Sequence, residues 1–348
     1  MSQAFSEIIG YGRYGAIFKV RDWDNMPIAR KLVPRLESNS NTNQPGLLEY
    51  RILRLAQFVK FPNVVQSRGQ TFQILETLTI PNSHDNIMAE EPPNDPGLNS
   101  LVLEMECATM GNLLEFLQRN PKVIINYPLV QLIGRDCCTG LYWLHLYNIL
   151  HADLKPENLF VFGSLEHPII KIGDMGSAAI ITRCENPITY CRTSYNYAAP
   201  EMLMVGLPGE RQVSLKADIY SLGIILMEIS SHHHPFYPFP RSGEDEKHAE
   251  KMTKILMSRP STPRPILPRF AFPLAFVEVL QGCLEPNPTF RLRPIDLLCD
   301  SLLGSMNADF HVDLYVDPTE LVCQPTPTLP STIQVYPFTL DLIVHSDH

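Results

Sequence analysis

The sequence of 348 residues predicts an α+β fold, in which a strand-rich segment with one helix precedes a longer, mainly helical segment. Residues 5–33 consist of short apolar stretches separated by glycines, as expected for strands joined by tight turns. In residues 47–58 apolar side chains recur at helical spacing, for example at Leu48 and Ile52. After Gly111 helical spacing dominates, so the chain changes character between its two parts.

Composition and charge exclude several classes of protein. Hydrophobic residues make up 45% and charged residues 19%, which allows a sizeable core. A net charge of −9 argues against an extended nucleic-acid-binding surface, so we expect no nucleic-acid partner. The chain opens without the basic flank and apolar core of a signal peptide, and its longest apolar run, around residues 224–227, is too short to cross a bilayer. We therefore expect an intracellular protein, cytoplasmic or nuclear, that does not contact a membrane.

The eight cysteines allow two interpretations. An even number is typical of disulfide frameworks, but those occur in small secreted proteins. In a long intracellular chain we expect reduced, mostly buried thiols.

Further segments can be assigned from local patterns. Residues 64–80 and 101–105 have strand character, whereas residues 81–100 are polar and rich in proline, which indicates an exposed insertion. Helices are predicted where Ile133, Cys137, Leu141 and Leu144 share one face, and over residues 219–229, which are apolar nearly all round and belong at the centre of a core.

Residues 151–159 combine an acid, Asp153, a base, Lys155, and an amide, Asn158, within six residues. A carboxylate that accepts a proton, a lysine that reaches a phosphate and an amide that ligates a metal are the groups that phosphoryl transfer needs. The segment resembles the catalytic loop of eukaryotic protein kinases, of the serine/threonine type because of Lys155. It differs at Ala152, where that family usually has arginine.

A glycine motif at Gly10, Gly12 and Gly15 precedes this loop. Alone it is a weak signal that also suits a dinucleotide-binding turn or a plain hairpin, but residues 16–20 have a strand pattern, as in kinases, instead of the helix that a dinucleotide site requires. Lys31 alone is compatible with a solvated surface charge. Its segment resembles the kinase strand whose lysine holds the α- and β-phosphates, and Glu49 in the next helix matches the paired acid.

Residues 101–113 resemble the strand, gatekeeper and hinge that join the two kinase lobes. An ordinary edge strand and turn would fit them too. The resemblance makes Met105 the gatekeeper and has Glu106 and Cys107 present backbone groups to adenine. Asp174 matches the metal-binding aspartate of the kinase Asp-Phe-Gly turn, with Met175 in place of phenylalanine.

Three more matches concern the larger lobe. Ser194 matches the hydroxyl residue that contacts the catalytic aspartate and lysine. Glu201 is expected to form a buried pair with Arg291, and Asp218 to anchor the backbone of the catalytic loop. The run of three histidines at 232–234 falls in a surface loop of the family, so we do not expect a metal there.

Together the motifs imply a bilobal protein-kinase-like fold, with a small antiparallel β-sheet lobe carrying one helix (residues 1–107) and a larger, mainly helical lobe (residues 108–303). The kinase domain covers about residues 5–303, and a partly apolar tail, residues 304–348, is expected to pack on the core or dock a partner. The implied cofactors are ATP and Mg²⁺, and the implied partners are proteins with Ser or Thr acceptors. The implied catalytic residues are Asp153, Lys155, Lys31 and Glu49, the nucleotide-binding residues are Ile9, Gly10, Tyr11, Gly12, Gly15, Ile17, Ala29, Lys31, Met105, Glu106 and Cys107, and the metal ligands are Asn158 and Asp174.

Three alternatives to an active protein kinase stay open. A pseudokinase that acts as a nucleotide-binding scaffold would share the fold, but the full set from Lys31 to Asp174 argues against it. A small-molecule kinase is disfavoured by the Ala-Pro-Glu segment that ends at Glu201. An interaction module that phosphorylates itself is compatible with every motif. In the family, the arginine that Ala152 replaces binds a phosphate on the activation segment. We therefore expect the activity of this chain to depend only weakly on phosphorylation of that segment.

Overall fold

The structure, a computed structural model, describes residues 7–12, 15–22, 24–34, 46–68, 74–75, 100–120, 127–181, 193–194, 196–203, 212–231 and 272–299. All of them lie in one compact unit, Met1–Ser305. The predicted insertion (except Ser100), the three histidines at 232–234 and the tail at 304–348 lie outside the described residues.

The smaller lobe is an antiparallel sheet with one helix, as predicted. Its strands are ordered β1-β2-β3-β5-β4. Its elements are, in chain order, β1 (Glu7–Gly12), β2 (Gly15–Arg21), β3 (Pro27–Pro34), α1 (Leu47–Val59), β4 (Ile74–Leu75) and β5 (Ser100–Glu106).

The glycine motif forms the hairpin between β1 and β2. Gly12 pairs with Gly15 at its tip, and Gly10 pairs with Ile17 next to an irregularity in the register. A Cβ on Gly15 would overlap the Leu32 carbonyl oxygen of β3, whereas one on Gly10 would meet nothing within 4 Å. Gly15 is therefore required by the packing of β2 on β3, and Gly10 leaves space above the sheet.

Helix α1 buries Glu49, Ile52, Leu53 and Ala56, which share one face of the helix because Ile52 and Leu53 lie three and four residues after Glu49 and Ala56 lies one turn further on. The helix ends at Val59 and is capped by Lys60, whose left-handed backbone lets the N–H of the following Phe61 return to the Ala56 carbonyl at 2.9 Å. Glu49 lies in the first turn on the buried face, and the helix thereby brings a carboxylate beneath the sheet.

The larger lobe has a helical core. Ile133, Cys137, Leu141 and Leu144 have no exposed surface, and the central helix α5 is buried nearly all round, so both helix predictions are confirmed. The elements are α2 (Leu113–Arg119), α3 (Tyr127–Leu146), β6 (Ile149–Leu150), a 3₁₀ turn (Pro156–Asn158), β7 (Leu159–Gly163), β8 (Pro168–Ile172), a 3₁₀ turn (Met175–Ser177), β9 (Ala179–Ile180), α4 (Pro200–Leu203), α5 (Ala217–Ser231), α6 (Leu274–Cys283) and α7 (Pro294–Cys299).

Two details differ from the sequence prediction. The start of the predicted strand at 64–80 forms only isolated bridges, because the Val65 N–H donates to the Ile172 carbonyl and the Ile172 N–H donates to the Asn63 carbonyl. The segment after α1 is thus bonded to β8 of the larger lobe. That lobe also contains the short ladders β6–β9 and β7–β8, which the helical pattern did not predict.

The cysteines of the described residues, Cys107, Cys137, Cys138, Cys283 and Cys299, are free thiols. Within the same residues, no helix is both long and apolar enough to span a membrane.

Candidate active site

A buried lysine joins the two lobes. Lys31 of β3 has 1% of its side chain exposed, and its Nζ lies 2.9 Å from both carboxylate oxygens of Glu49. The same Nζ lies 2.8 Å from Oδ1 of Asp174 in the larger lobe. The predicted partnership of Lys31 with Glu49 is present, and Asp174 adds a second carboxylate.

The charges of this cluster support each other. Burial alone would lower the pKa of the Lys31 ammonium, but the carboxylates of Glu49 and Asp174 outweigh burial, and the pKa lies above its ordinary value. Burial alone would raise the pKa of the Asp174 carboxyl, but the charge and hydrogen bond of Lys31 hold that pKa below its ordinary value. Burial raises the pKa of the Glu49 carboxyl above its ordinary value, and the nearby Lys31 ammonium opposes that rise.

A second cluster surrounds Asp153. Its Oδ1 accepts a hydrogen bond of 2.7 Å from the Ser194 backbone N–H, and its Oδ2 lies 2.9 Å from Lys155 Nζ. Lys155 Nζ also donates to Ser194 Oγ at 2.8 Å. Asn158 donates its amide nitrogen to the Asp153 carbonyl at 2.7 Å. The loop thus brings the carboxylate, the ammonium, the amide and the Ser194 hydroxyl together. The predicted contact of Ser194 with both Asp153 and Lys155 is present.

The backbone of this loop is held from below by a buried carboxylate, as expected for Asp218. It accepts from the His151 N–H at 2.9 Å and from the Ala152 N–H at 3.0 Å. His145 Nε2 lies 2.9 Å from the same group. Ala152 has a positive φ of 68°, a conformation that costs a non-glycine residue about 1 kcal/mol or more. The two hydrogen bonds to Asp218 stabilise this strained turn.

The turn at Gly173 and Asp174 is tied to the same loop. His151 is fully buried, and its Nε2 lies 2.9 Å from the Gly173 carbonyl oxygen. The Gly173 N–H donates to the Asn158 carbonyl at 3.0 Å. Asp174 follows with a positive φ of 53°, and Met175, 1% exposed, starts the 3₁₀ turn. Asp174 thus directly follows a residue whose backbone is bonded to Asn158.

Asn158 and Asp174 have the donor chemistry that Mg²⁺ prefers, because the ion binds carboxylate and amide oxygens. The amide nitrogen of Asn158 is engaged by Asp153, which directs the amide oxygen elsewhere. The two side chains are therefore able to hold a magnesium ion together with phosphate oxygens.

The residues that are predicted to bind the nucleotide lie together on the smaller lobe. Ile17 pairs with Lys31 across β2 and β3, and Ala29 pairs with Met105 across β3 and β5. Ile9 and Tyr11 of β1 are 42% and 79% exposed. The sheet thus presents these positions around Lys31.

The hinge makes contacts that the prediction did not include. The Glu106 N–H donates to the Gln66 carbonyl at 3.1 Å, so this one backbone group is used within the smaller lobe. Its side chain is used too, since Oε2 lies 2.7 Å from Lys171 Nζ of β8. The prediction did not foresee Lys171, because no local signal connects residues so far apart in sequence. Cys107 is 9% exposed, and burial raises the pKa of its thiol.

The predicted pair of Glu201 and Arg291 is present and wholly buried. Arg291 Nη2 donates to Glu201 Oε2 at 3.0 Å, and neither side chain has exposed surface. Nearby, Tyr197 donates its hydroxyl to Glu228 of α5 at 2.7 Å, a contact that the motifs did not indicate. These pairs attach the segment that carries Ser194 to the core of the larger lobe.

Comparison with known proteins agrees with this geometry. The protein kinase domain matches residues 4–303. Mitogen-activated protein kinase kinase kinase 15 of Mus musculus is 27% identical over 324 residues, 92% of this chain and 21% of that protein. Serine/threonine-protein kinase atg1 of Dictyostelium discoideum is 31% identical over 193 residues, 54% of this chain and 26% of that protein. Mitogen-activated protein kinase kinase SIPKK of Nicotiana tabacum is 27% identical over 221 residues, 63% of this chain and 57% of that protein.

The chain spans about a fifth of the first of these relatives and somewhat more than half of the third. The domain match, by contrast, covers most of the chain and includes both clusters, from Lys31 to Asp174. The fold is bilobal, with the antiparallel sheet and helical lobe of that domain. The chain belongs to the protein kinase family.

Proposed function

We propose that the chain transfers the γ-phosphoryl group of ATP to Ser or Thr hydroxyls of proteins, with Mg²⁺ bound and Asp153 as the proton acceptor. The observation that carries the proposal is the contact of buried Lys31 with Glu49 at 2.9 Å and with Asp174 at 2.8 Å. A buried ammonium is costly unless it is paired. Here the pairing aligns a phosphate-binding cation with a metal-binding carboxylate, which phosphoryl transfer requires.

Nucleotide binding uses residues of both lobes. Lys31 holds the α- and β-phosphates, and Glu49 fixes the lysine in place. The glycines at 10, 12 and 15 keep the hairpin backbone close to the phosphates. Ile9, Tyr11, Ile17, Ala29, Met105 and Cys107 line the base side. Asn158 and Asp174 would hold Mg²⁺, which would supply positive charge to offset the charge that develops on the phosphates.

Asp153 acts on the acceptor hydroxyl. As the acceptor oxygen bonds to the γ-phosphorus and the bond from phosphorus to the ADP oxygen breaks, the hydroxyl proton passes to the Asp153 carboxylate. The Ser194 N–H at 2.7 Å and the Lys155 ammonium at 2.9 Å fix the orientation of that carboxylate. Lys155 also neutralises charge on the transferred group.

The second candidate is a pseudokinase that binds nucleotide without transferring phosphate. A pseudokinase would retain the cluster around Lys31, but its function would not require the cluster around Asp153. The linked contacts of Lys155 with Ser194 at 2.8 Å and with Asp153 at 2.9 Å favour transfer.

The tail at 304–348 supplies apolar residues for docking protein partners, as a further part of the proposal.

The experiment compares wild type with Asp153→Asn. Purified protein is incubated with labelled ATP, Mg²⁺ and a generic basic protein, and the labelled amino acids are identified. We expect phosphoserine and phosphothreonine from wild type, no labelling when the metal is chelated, and loss of labelling in Asp153→Asn. Both proteins should still bind MgATP in a thermal-shift assay. Identical labelling by the two proteins would exclude Asp153 as the proton acceptor, and ATP binding without labelling by either would favour the pseudokinase.

A further inference from the structure

Strand β8, which leads to Asp174, has one edge that no other strand of its sheet covers. In the described part of the chain this sheet consists of β7 and β8. Opposite residues of an antiparallel pair alternate between two kinds, and those of one kind direct their N–H and carbonyl away from the partner strand. The Ile170 N–H donates to Asp136 Oδ2 at 2.9 Å, and the Ile170 carbonyl accepts from Asn63 Nδ2 at 2.8 Å. Two side chains therefore take the place of a neighbouring strand at Ile170.

The carboxylate at this edge belongs to α3 of the larger lobe. Asp136 is 6% exposed, and its other oxygen, Oδ1, lies 3.3 Å from Nη2 of the half-exposed Arg135. Ile170 is 1% exposed, and a buried N–H without an acceptor costs about as much free energy as a lost hydrogen bond. Aspartate is an unfavourable residue for a helix interior. The contact with Ile170 gives this buried acid of α3 a role.

Helix α3 also lies against the junction between the lobes. Gly140 follows Asp136 by four residues and shares its face of the helix. A Cβ on Gly140 would lie 2.6 Å from the Asn63 carbonyl oxygen and 2.9 Å from Cδ1 of Ile172. The same carbonyl accepts from the Ile172 N–H at 2.8 Å. Asp136 therefore holds β8 at a place where α3, β8 and the segment after α1 are in close contact.

The position of Asp174 depends on this strand. Strand β8 ends at Ile172, and only Gly173 separates its end from Asp174. Asp174 has a positive φ of 53°, and its Oδ1 lies 2.8 Å from Lys31 Nζ. A shift of β8 along α3 would therefore displace the Asp174 carboxylate from Lys31.

We propose that Asp136 is a positioning residue, whose carboxylate fixes β8 and thereby holds Asp174 where it binds the metal of MgATP. This inference rests on the proposed function, in which Asp174 is a magnesium ligand. Asp136 acts through the Ile170 N–H, and what it supplies is a hydrogen-bond acceptor. An asparagine should serve as well, because its amide oxygen accepts from the same N–H.

The test compares nucleotide affinity with and without metal. Calorimetric titrations give the Kd of MgATP and the Kd of ATP in the presence of EDTA, and their ratio measures what the metal adds to binding. Asp136→Leu keeps a branched side chain but removes the acceptor. It should weaken MgATP binding by about tenfold, the lower end of the range for residues that orient metal ligands, and leave the binding of metal-free ATP unchanged. Asp136→Asn should stay within about twofold of wild type for both forms of ATP.

A second measurement reports on the strand itself. Hydrogen exchange of the Ile170 amide, followed without nucleotide, should be faster in Asp136→Leu than in wild type, because the N–H loses its acceptor. Asp136→Asn should exchange as wild type does. In kinase assays, the Mg²⁺ concentration for half-maximal activity should rise by about tenfold in Asp136→Leu, while the KM for a peptide substrate should not change.

Two variants of the same helix serve as controls. Thr139→Val removes the hydrogen bond from the buried Thr139 Oγ1 to the Arg135 carbonyl, which is 2.9 Å long. Arg135→Leu removes the cation beside Asp136 but leaves the carboxylate on Ile170. Both variants should keep the wild-type ratio of affinities, including under conditions in which Thr139→Val unfolds at a lower temperature.

An unchanged ratio of affinities in Asp136→Leu would overturn the proposal. Equal losses in Asp136→Asn and Asp136→Leu would also overturn it, because the charge would then matter and not the acceptor. An equal loss in Thr139→Val would do so as well, since the cause would be a general loss of packing. If Asp136→Leu does not fold, Asp136→Ser, whose hydroxyl is too short to reach Ile170, gives the same comparison with the same outcomes. Wild type that binds no ATP, or that binds ATP equally well with and without Mg²⁺, would instead refute the proposed nucleotide and metal site.

Discussion

Breaking the buried pair of Glu201 and Arg291 should destabilise the larger lobe strongly and non-additively. Both side chains have no exposed surface. Arg291 also donates to the backbone carbonyls of Glu285 and Lys216, each at 2.9 Å, and of Pro286 at 3.4 Å. The guanidinium therefore has other acceptors, whereas Glu201 makes no other hydrogen bond that we identify among the described residues.

The magnitudes follow from this asymmetry. Removing one partner of a buried pair typically costs about 3–5 kcal/mol, because the other charge is left uncompensated. Glu201→Ala should lie near 3 kcal/mol, since three carbonyls still receive the guanidinium. Arg291→Ala should lie near 5 kcal/mol, because it leaves a buried carboxylate and a cavity. The double variant should cost little more than Arg291→Ala, which gives a coupling of about 3 kcal/mol.

Urea unfolding of the four proteins measures these values. Arg293→Ala is the matched control, because Arg293 pairs with Asp296 at 2.8 Å but is 62% exposed, and it should cost less than about 1 kcal/mol. Single losses that add to the double within about 0.5 kcal/mol would refute a coupled buried pair. So would an Arg293→Ala cost equal to that of Arg291→Ala.

Two further predictions concern regulation and pH. Because Ala152 offers no guanidinium to an activation-segment phosphate, Thr193→Ala and phosphatase-treated wild type should retain most of the kinase activity. A large loss of activity in Thr193→Ala that Thr193→Glu restores would show that another cation binds the phosphate. The pKa of Asp174 is held below its ordinary 3.8 in the folded state, so its stabilising contribution is present above that pH and is lost as the pH falls through the folded-state value. In urea titrations, the difference in unfolding free energy between wild type and Asp174→Asn should therefore stay constant from about pH 7 to about pH 5 and shrink below about pH 4. A difference that grows on acidification would contradict the depressed pKa.

The sequence predicted the site residues well where they lie close together in the chain at a spacing that the chemistry requires. Asp153, Lys155 and Asn158 fall within six residues, and the pairing of Lys31 with Glu49 follows from one strand and the next helix. Both groups were therefore predictable. The helical face from Ile133 to Leu144 was equally clear, because a buried face repeats with the helical period.

Contacts between distant segments carried no such signal. Val64 and Val65 have the apolar character of a strand, and only the folded chain shows that they bond to β8 of the other lobe. The pair of Glu106 and Lys171 joins residues from different lobes and needs no local pattern. The exposure of Phe160 was within reach of sequence reasoning, since alternation in β7 places it opposite the buried Leu159, but the close packing of its ring on Gly173 is visible only in the folded chain.

The central claim, that the clusters around Lys31 and Asp153 form one working site, is tested most directly by the rate of phosphoryl transfer. The measurement is kcat for a serine peptide with saturating MgATP, for wild type and Asp153→Asn. We expect Asp153→Asn to lose a factor of about 10²–10⁴ in kcat, the usual contribution of a positioned proton acceptor, while its affinity for MgATP is retained. Equal kcat values, or no transfer by wild type despite MgATP binding, would contradict the claim.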